Sequence, residues 1–302
     1  MPAAHHAMNA GTAVDESAMG EARMAGRLYI VATPIGNLAD VTWRSADILK
    51  AVPIVACEDT RRTRALLAHI GAEPGRLVAM HDHNEDRATE RLVAELDHGS
   101  DVALVSDAGT PLISDPGFEL VRAAWRRGIP VTPVPGCSAI TAALAASPIP
   151  INRFRFEGFL PTRATPRRDV LKRLLAEDAA VVFFEAPHRL RDVLDDLVEC
   201  GAGDRSMLIC RELTKRFETL SFGTVDEILA NGTVVDRGEF TCVLAPARAR
   251  ADRDAARPAV AAVVEALAAE LPPAQAARLA SRITGRPRAE LYDLATAFSP
   301  PD

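Results

Sequence analysis

Four β-prone stretches of this 302-residue chain run out into acidic residues. Val52–Cys57 delivers Glu58 and Asp59, Val102–Ser106 delivers Asp107, Val181–Phe184 delivers Glu185, and Met207–Arg211 delivers Glu212. In parallel α/β sheets, ligands bind in the crevice beyond the carboxyl ends of the strands. Carboxylates gathered there suit ribose hydroxyls, amino groups and a transferable proton. A ligand-handling enzyme is the first expectation.

The turns that follow the strands narrow the chemistry. Thr33-Pro34-Ile35-Gly36-Asn37 sits where doubly wound folds place a phosphate-binding turn, yet it is not G-x-G-x-x-G, and no G-K-[ST] occurs anywhere. That disfavours a dinucleotide or ATP. In Asp107-Ala108-Gly109-Thr110-Pro111 the glycine lets the backbone approach a ligand or take a positive φ, and Asp107 offers two acceptor oxygens. Ser114-Asp115-Pro116-Gly117 reads as a helix start capped by Asp115 or Ser114. Val134-Pro135-Gly136-Cys137-Ser138-Ala139 admits two readings: N–H groups and a hydroxyl that hold a carboxylate or ribose, or a tight turn with Ser138 as N-cap. Phe184-Glu185-Ala186-Pro187-His188-Arg189 and Arg211-Glu212-Leu213-Thr214-Lys215 close two strands read as neighbours. Their Glu, His, Arg and Lys suit proton transfer and anion steering, against the alternative of a structural ion pair such as Glu185 with Arg211.

Basic residues cluster twice. Glu58-Asp59-Thr60-Arg61-Arg62-Thr63-Arg64 sets three arginines on one turn, with Asp59 or Thr60 as the N-cap. Arg153–Arg173 holds Arg153, Arg155, Arg163, Arg167, Arg168, Lys172 and Arg173 against Glu157 and Asp169, a local charge of +5 in a chain of −6. Phe154, Phe156 and Phe159 interleave with it, and a polyanion such as RNA is the expected ligand. His81-Asp82-His83-Asn84-Glu85 lacks the spacing of a metal site and reads as a polar loop.

These groups need a scaffold. From Arg27 to Ser147, strands alternate with helices of about ten to fifteen residues, the signature of a parallel sheet. Ser147-Pro148-Ile149-Pro150 breaks the pattern, and residues 148–247 read as a second α/β domain with a mixed sheet. A polar linker, 248–257, precedes a helical extension over 258–302, which is either a hairpin packed on the body or a nucleic-acid contact resembling a helix-turn-helix. Residues 1–26 lack a signal-peptide design and read as a mobile tail, with Met24 an alternative start. The five cysteines are scattered, without C-x-x-C, which favours a reducing cytoplasm. No apolar run approaches the roughly 18 residues of a membrane span.

Taken together, LYIVATPIGNLAD (28–40), CEDTRRT (57–63), HDHNE (81–85), VSDAGTPLISDPG (105–117), EGFLP (157–161), FEAPHRL (184–190) and RELTK (211–215) resemble the RsmI family. These are S-adenosylmethionine-dependent 2′-O-ribose cytidine methyltransferases of small-subunit 16S ribosomal RNA, within the tetrapyrrole methylase superfamily. The likeness spans roughly residues 27–298, its end being similar to the family's C-terminal helical piece. It implies two α/β domains with the cofactor in the cleft between them, and a homodimer. It also implies S-adenosylmethionine contacts at Pro34, Ile35, Asp107, Ala108, Gly109, Ile113, Ser138, Ala139, Phe184 and Leu213. Cys137 departs from the proline more usual after the Pro-Gly pair.

The chemistry follows from the substrates. A sulfonium methyl is already an electrophile, so the protein's task is to align a ribose hydroxyl with it and draw off the proton. Glu185, Glu212, His188 and Lys215 are the expected bases or orienters, with Glu58 or Asp59 acting from the opposite wall. Glu185 is the first choice, and Lys215 or Arg211 would steady the nucleophile. Arg61, Arg62, Arg64, Arg163, Arg167, Arg168 and Lys172 would hold flanking phosphates, and no metal is needed. Two alternatives remain: a small-molecule, tetrapyrrole-type methyltransferase, and a non-catalytic RNA-binding assembly factor.

Overall fold

A computed structural model describes residues 25–81, 83–232, 237–246 and 260–298. Residues 1–24 of the expected tail, Asp82 and the whole expected linker lie outside the described residues. The chain divides into two compact units, residues 1–139 and 140–302.

The first unit is built on β1 (Leu28–Val31), β2 (Ile54–Cys57), β3 (Arg76–Ala79), β4 (Val102–Val105) and β5 (Val131–Val134). They form an all-parallel sheet in the order β3-β2-β4-β1-β5. β2 and β4 are buried at every position, as strands covered on both faces must be, which is why they read as unbroken apolar runs. Helices α1 (Trp43–Ala51) and α2 (Thr60–Ile70) cover one face through Leu49, Leu66 and Leu67. Helices α3 (Glu85–Asp97) and α4 (Phe118–Arg126) cover the other through Leu92, Leu96 and Leu120. Fully buried leucines of this kind contribute roughly 1.5–3 kcal/mol each.

One helix start meets expectation and another departs from it. Asp59 is the N-cap of α2, its Oδ1 accepting from Arg61 N at 2.8 Å. Ahead of β2, a 3-10 turn, Leu38–Asp40, precedes α1, which Thr42 caps. Neither Ser114 nor Asp115 caps α4. That helix begins at Phe118, and the Glu85 carboxylate of α3 accepts from Gly117 N at 2.9 Å and Glu119 N at 3.0 Å.

The second unit carries a mixed sheet, β6-β7-β10-β8-β9, made of β6 (Phe154–Phe159), β7 (Ala180–Glu185), β8 (Ser206–Arg211), β9 (Thr219–Thr224) and β10 (Phe240–Leu244). β10 runs antiparallel between β7 and β8, so the two strands that end in Glu185 and Arg211 are not neighbours. Helices α6 (Ala164–Leu175), α7 (Pro187–Glu199) and α8 (Val225–Ala230) pack on one face around Phe183, Leu190 and Leu194. α5 (Ala139–Ala145) packs Ile140, Ala143 and Leu144 on the other. That packing puts the division between units at 139–140, ahead of the expected break at 147–148. The C-terminal helices α9 (Val260–Ala268), α10 (Pro273–Thr284) and α11 (Arg288–Phe298) share an alanine-rich core, and Gly285 closes α10 in the left-handed conformation.

Candidate active site

In the first unit, the connections leaving β1 and β4 diverge. β1 leads through α1 to β2 on one side, and β4 leads through α4 to β5 on the other. Such a switch point opens a crevice at the strands' carboxyl ends. There Thr33 and Gly109 exchange both backbone hydrogen bonds, at 2.8 and 3.0 Å. Gly109 takes φ 80°, and a Cβ on it would stand 3.3 Å from Ile35 Cγ2, so both conformation and space favour glycine. Thr110 Oγ1 donates to Cys137 O at 3.1 Å, and Cys137 Sγ to Asp40 O at 3.2 Å. The loops holding Pro34, Ile35, Asp107, Ala108, Gly109, Ser138 and Ala139 are thereby tied together.

Ile113, 38% exposed, is flanked by Leu112 at φ 74° and Ser114 at φ 69°. Non-glycine residues held in this region cost of order 1–3 kcal/mol and cluster at ligand sites. Asp107 is engaged on both oxygens. Oδ1 accepts from Asp59 N at 2.9 Å, and Oδ2 lies 3.5 Å from Arg62. Asp115 was expected as a cap. Instead its pKa rises to about 6, because burial disfavours its charge and Glu58 adds repulsion, against a hydrogen bond from Ser106. Asp59 moves the other way, to about 2, under its hydrogen bonds with Arg61. In the 81–85 loop Asn84 is the organiser, accepting from His81 N at 2.8 Å and donating to Ala79 O at 3.1 Å. No group of three or more His, Cys, Asp or Glu among the described residues is arranged to hold a metal ion.

In the second unit, Phe184 and Leu213 lie together on the α5 face, half-buried. The Phe184 ring meets Phe156 edge-on at 5.0 Å and Phe159 at 5.7 Å. Glu212 at φ 53° and Thr214 at φ 67° repeat the alternating left-handed pattern of the first unit. Glu212 Oε1 accepts from Lys215 Nζ at 2.9 Å and Glu239 N at 3.0 Å, and the lysine hydrogen bond holds Glu212 below its ordinary pKa. Burial works against the Lys215 charge, but hydrogen bonds to Glu212 and Glu239 outweigh it and raise its pKa. Thr214 Oγ1 is buried without a hydrogen-bond partner among the described residues. His188 is exposed in the first turn of α7.

Several expectations are corrected here. Glu185 does not pair with Arg211, which donates to the carbonyls of Arg237 at 2.8 Å and Phe217 at 3.3 Å. It alternates away from Phe184 onto the helix-covered face, where its side chain is wholly buried against Arg189. In this structure the carboxylate has no exposed surface. Arg167 is not a surface cation: its side chain is 4% exposed and its Nε lies 2.6 Å from Asp196. Arg168 shares Asp196 and also pairs with Glu199, and Arg155 pairs with Glu157 and Glu177. Arg163, Lys172 and Arg173 are exposed, with no ion pair among the described residues. Arg61, Arg62 and Arg64 are exposed too, although Arg61 is paired with Asp59. Sequence reasoning missed Arg189 and Thr214; the i, i+4 spacing of Glu185 and Arg189 is the only hint of the first.

Comparison with known proteins agrees with this layout. The family model of the Tetrapyrrole (Corrin/Porphyrin) Methylases matches residues 27–229, and that of the RsmI C-terminal HTH domain matches 254–298. The chain belongs to the RsmI family. Among its relatives is the ribosomal RNA small subunit methyltransferase I of Xylella fastidiosa (strain Temecula1), 51% identical over 88% of this chain and 98% of that protein. The protein of the same name from Escherichia coli O157:H7 is 46% identical over 89% and 94%. Uroporphyrin-III C-methyltransferase from Thermus thermophilus, solved with S-adenyl homocysteine, superposes with a TM-score of 0.53 at 19% identity. That match covers 73% of this RsmI-family chain and 97% of the other, and it shows the shared fold.

Proposed function

We propose that this chain is an S-adenosylmethionine-dependent methyltransferase of ribosomal RNA, acting on the 2′-hydroxyl of a cytidine ribose in 16S RNA of the small subunit. The observation that carries this reading is the near-complete match to proteins named ribosomal RNA small subunit methyltransferase I, at 51% and 46% identity.

The residues suit the methyl donor. Its adenine wants an apolar bed with a polar contact; half-buried Phe184 and Leu213 lie in one cluster, and Thr214, next in sequence, has a hydroxyl with no partner among the described residues. Its ribose and amino-acid portions want hydrogen-bonding groups, which the tied loops of Pro34–Ile35, Asp107–Gly109, Ile113 and Ser138–Ala139 offer in backbone and side chain. When bound, S-adenosylmethionine supplies an electrophilic methyl on a sulfonium.

The remaining work falls to the protein. Proton removal from the ribose hydroxyl is assigned to Glu212, half-buried after β8, or His188, exposed at the start of α7. Lys215, held cationic between Glu212 and Glu239 at 2.9 and 3.1 Å, steadies the oxygen as its proton leaves, with Arg211 beside it in sequence. Arg163, Lys172, Arg61, Arg62 and Arg64 contact phosphates, which positions RNA without reading its bases.

No helix among the described residues is long and apolar enough to cross a membrane. We place the enzyme in the cytoplasm with its substrate, as a homodimer. A second copy would cover Leu220 and Phe222, which are 43% and 53% exposed on the edge strand β9.

A tetrapyrrole substrate is disfavoured by the described C-terminal helices and by Arg163, Lys172 and Arg173, exposed with no ion pair among the described residues, which a porphyrinoid does not require. Labelled S-adenosylmethionine supplied with small subunits and with naked rRNA, both lacking the modification, tests the reading. Label in RNA is expected. Label only in an added porphyrinoid would reverse the choice, and none in either would leave an RNA-binding factor.

A further inference from the structure

Three successive carbonyls in the second unit, those of Leu160, Pro161 and Thr162, each accept from an arginine, half-buried Arg189 or buried Arg167. Each arginine is tethered in turn to a buried carboxylate. Arg189, 14% exposed, donates to Leu160 O at 2.5 Å and to Pro161 O at 3.3 Å. Its anchor is Glu185, wholly buried, which receives Arg189 at 3.2 Å and Ala186 N at 2.8 Å. Arg167 donates to Thr162 O at 3.2 Å, and its anchor is Asp196, only 4% exposed.

Two buried ion pairs aimed at one short loop call for an explanation other than stability. Replacing a buried pair by well-packed apolar residues is often neutral or stabilising, so such pairs are weak evidence of a stabilising role. Their geometry, by contrast, is specific: Arg167 spans Asp196 and Thr162 O with two nitrogens of one planar group, and Arg189 Nη2 sits between Glu185 and two carbonyls. What they fix is a loop between two functional groups. Phe159 precedes it and touches the Phe184 ring at 5.7 Å. Arg163 follows it, exposed at the start of α6.

We propose that Glu185–Arg189 and Asp196–Arg167 are positioning pairs that hold the Leu160–Thr162 loop, so that Arg163 meets the RNA backbone at a set distance from the Phe184 face. The proposal rests on the RNA-methylation reading. Glu185 then acts through Arg189 on where the RNA lies and does not touch the reacting atoms.

The test is steady-state methyl transfer by the full chain to small-subunit RNA lacking the modification, with S-adenosylhomocysteine affinity measured alongside. Arg189→Lys keeps the charge facing Glu185 but is too short to carry it to the place where Nη2 meets both carbonyls. Arg189→Lys and Glu185→Gln should each raise KM for RNA about tenfold while kcat and S-adenosylhomocysteine affinity move less than about twofold. Arg163→Ala should do the same, and the Arg163→Ala/Arg189→Lys double variant should be little worse than either single one, since both act through one contact. Should Arg189→Lys not fold, Asp196→Asn tests the same loop through Arg167. A large fall in kcat at unchanged KM in Glu185→Gln would put Glu185 at the reacting atoms and overturn the proposal. So would wild-type kinetics in the variants, or fully additive losses in the double variant. A wild-type chain that binds S-adenosylhomocysteine but transfers no methyl to RNA would defeat the underlying reading instead.

Discussion

At the scale of single residues, burial reassigns chemistry that spacing alone suggested. Asp115 looks like a helix cap in the sequence, yet its carboxyl sits half-buried near Glu58, with a pKa of about 6 instead of 3.8. Below about pH 4 the folded and unfolded states both keep that proton, and nothing is lost. As pH rises toward 6 the unfolded chain releases it first, so stability falls across that window and the deficit persists at neutral pH. Allowing for partial exposure, the deficit is about 1–2 kcal/mol. Asp115→Asn should therefore stabilise the protein by about 1 kcal/mol at pH 7.5, with the gain shrinking toward zero near pH 4. Urea melts at several pH values measure this; an equal gain at every pH would mean the charge is not responsible. Arg167 and Glu185 were illegible for a related reason. Whether a charged side chain is exposed depends on its partners, and Asp196 lies 29 residues from Arg167.

Elements were more legible than their ends. β2 and β4 could be read because strands covered on both faces are apolar throughout, and α3 because Ala88, Leu92 and Leu96 recur on one face. α8 escaped notice although Thr224 and Glu227 form a capping box, since six residues show no period. The start of α4 was misread because its cap comes from another helix, 32 residues earlier. Glu85→Ala removes the acceptor of two N–H groups at once, and should cost about 1–2 kcal/mol and lower the Tm. Ala at Asp115 should not reproduce that loss; if it did, the cap would lie where the sequence first suggested. At the start of α6 and along it, Arg163, Lys172 and Arg173 are exposed with no ion pair among the described residues, whereas Arg167 is buried. Changing those three to alanine should weaken RNA binding regardless of sequence and make the slope of log affinity against log salt shallower by about 2. An unchanged slope would move the RNA surface off this helix.

For the molecule as a whole, the order of motifs along the chain carried the family, and the fold explains why they recur at strand ends. In each unit the loops at the carboxyl ends of the strands depart from ordinary backbone conformation. Each does so with left-handed non-glycine residues, Leu112 and Ser114 in one and Glu212 and Thr214 in the other. That strain could not be foreseen, because leucine, serine, glutamate and threonine carry no preference for such a backbone. A net charge of −6 is compatible with RNA only because exposed cations are concentrated locally, as at Arg163, Lys172 and Arg173 and at Arg61, Arg62 and Arg64. The most direct measurement is nucleoside mass spectrometry of 16S RNA from unmodified small subunits, after incubation with the purified protein and methyl-labelled S-adenosylmethionine. The account predicts labelled 2′-O-methylcytidine, at one site. Label on a base, or no labelled nucleoside from protein that binds the donor, would contradict it.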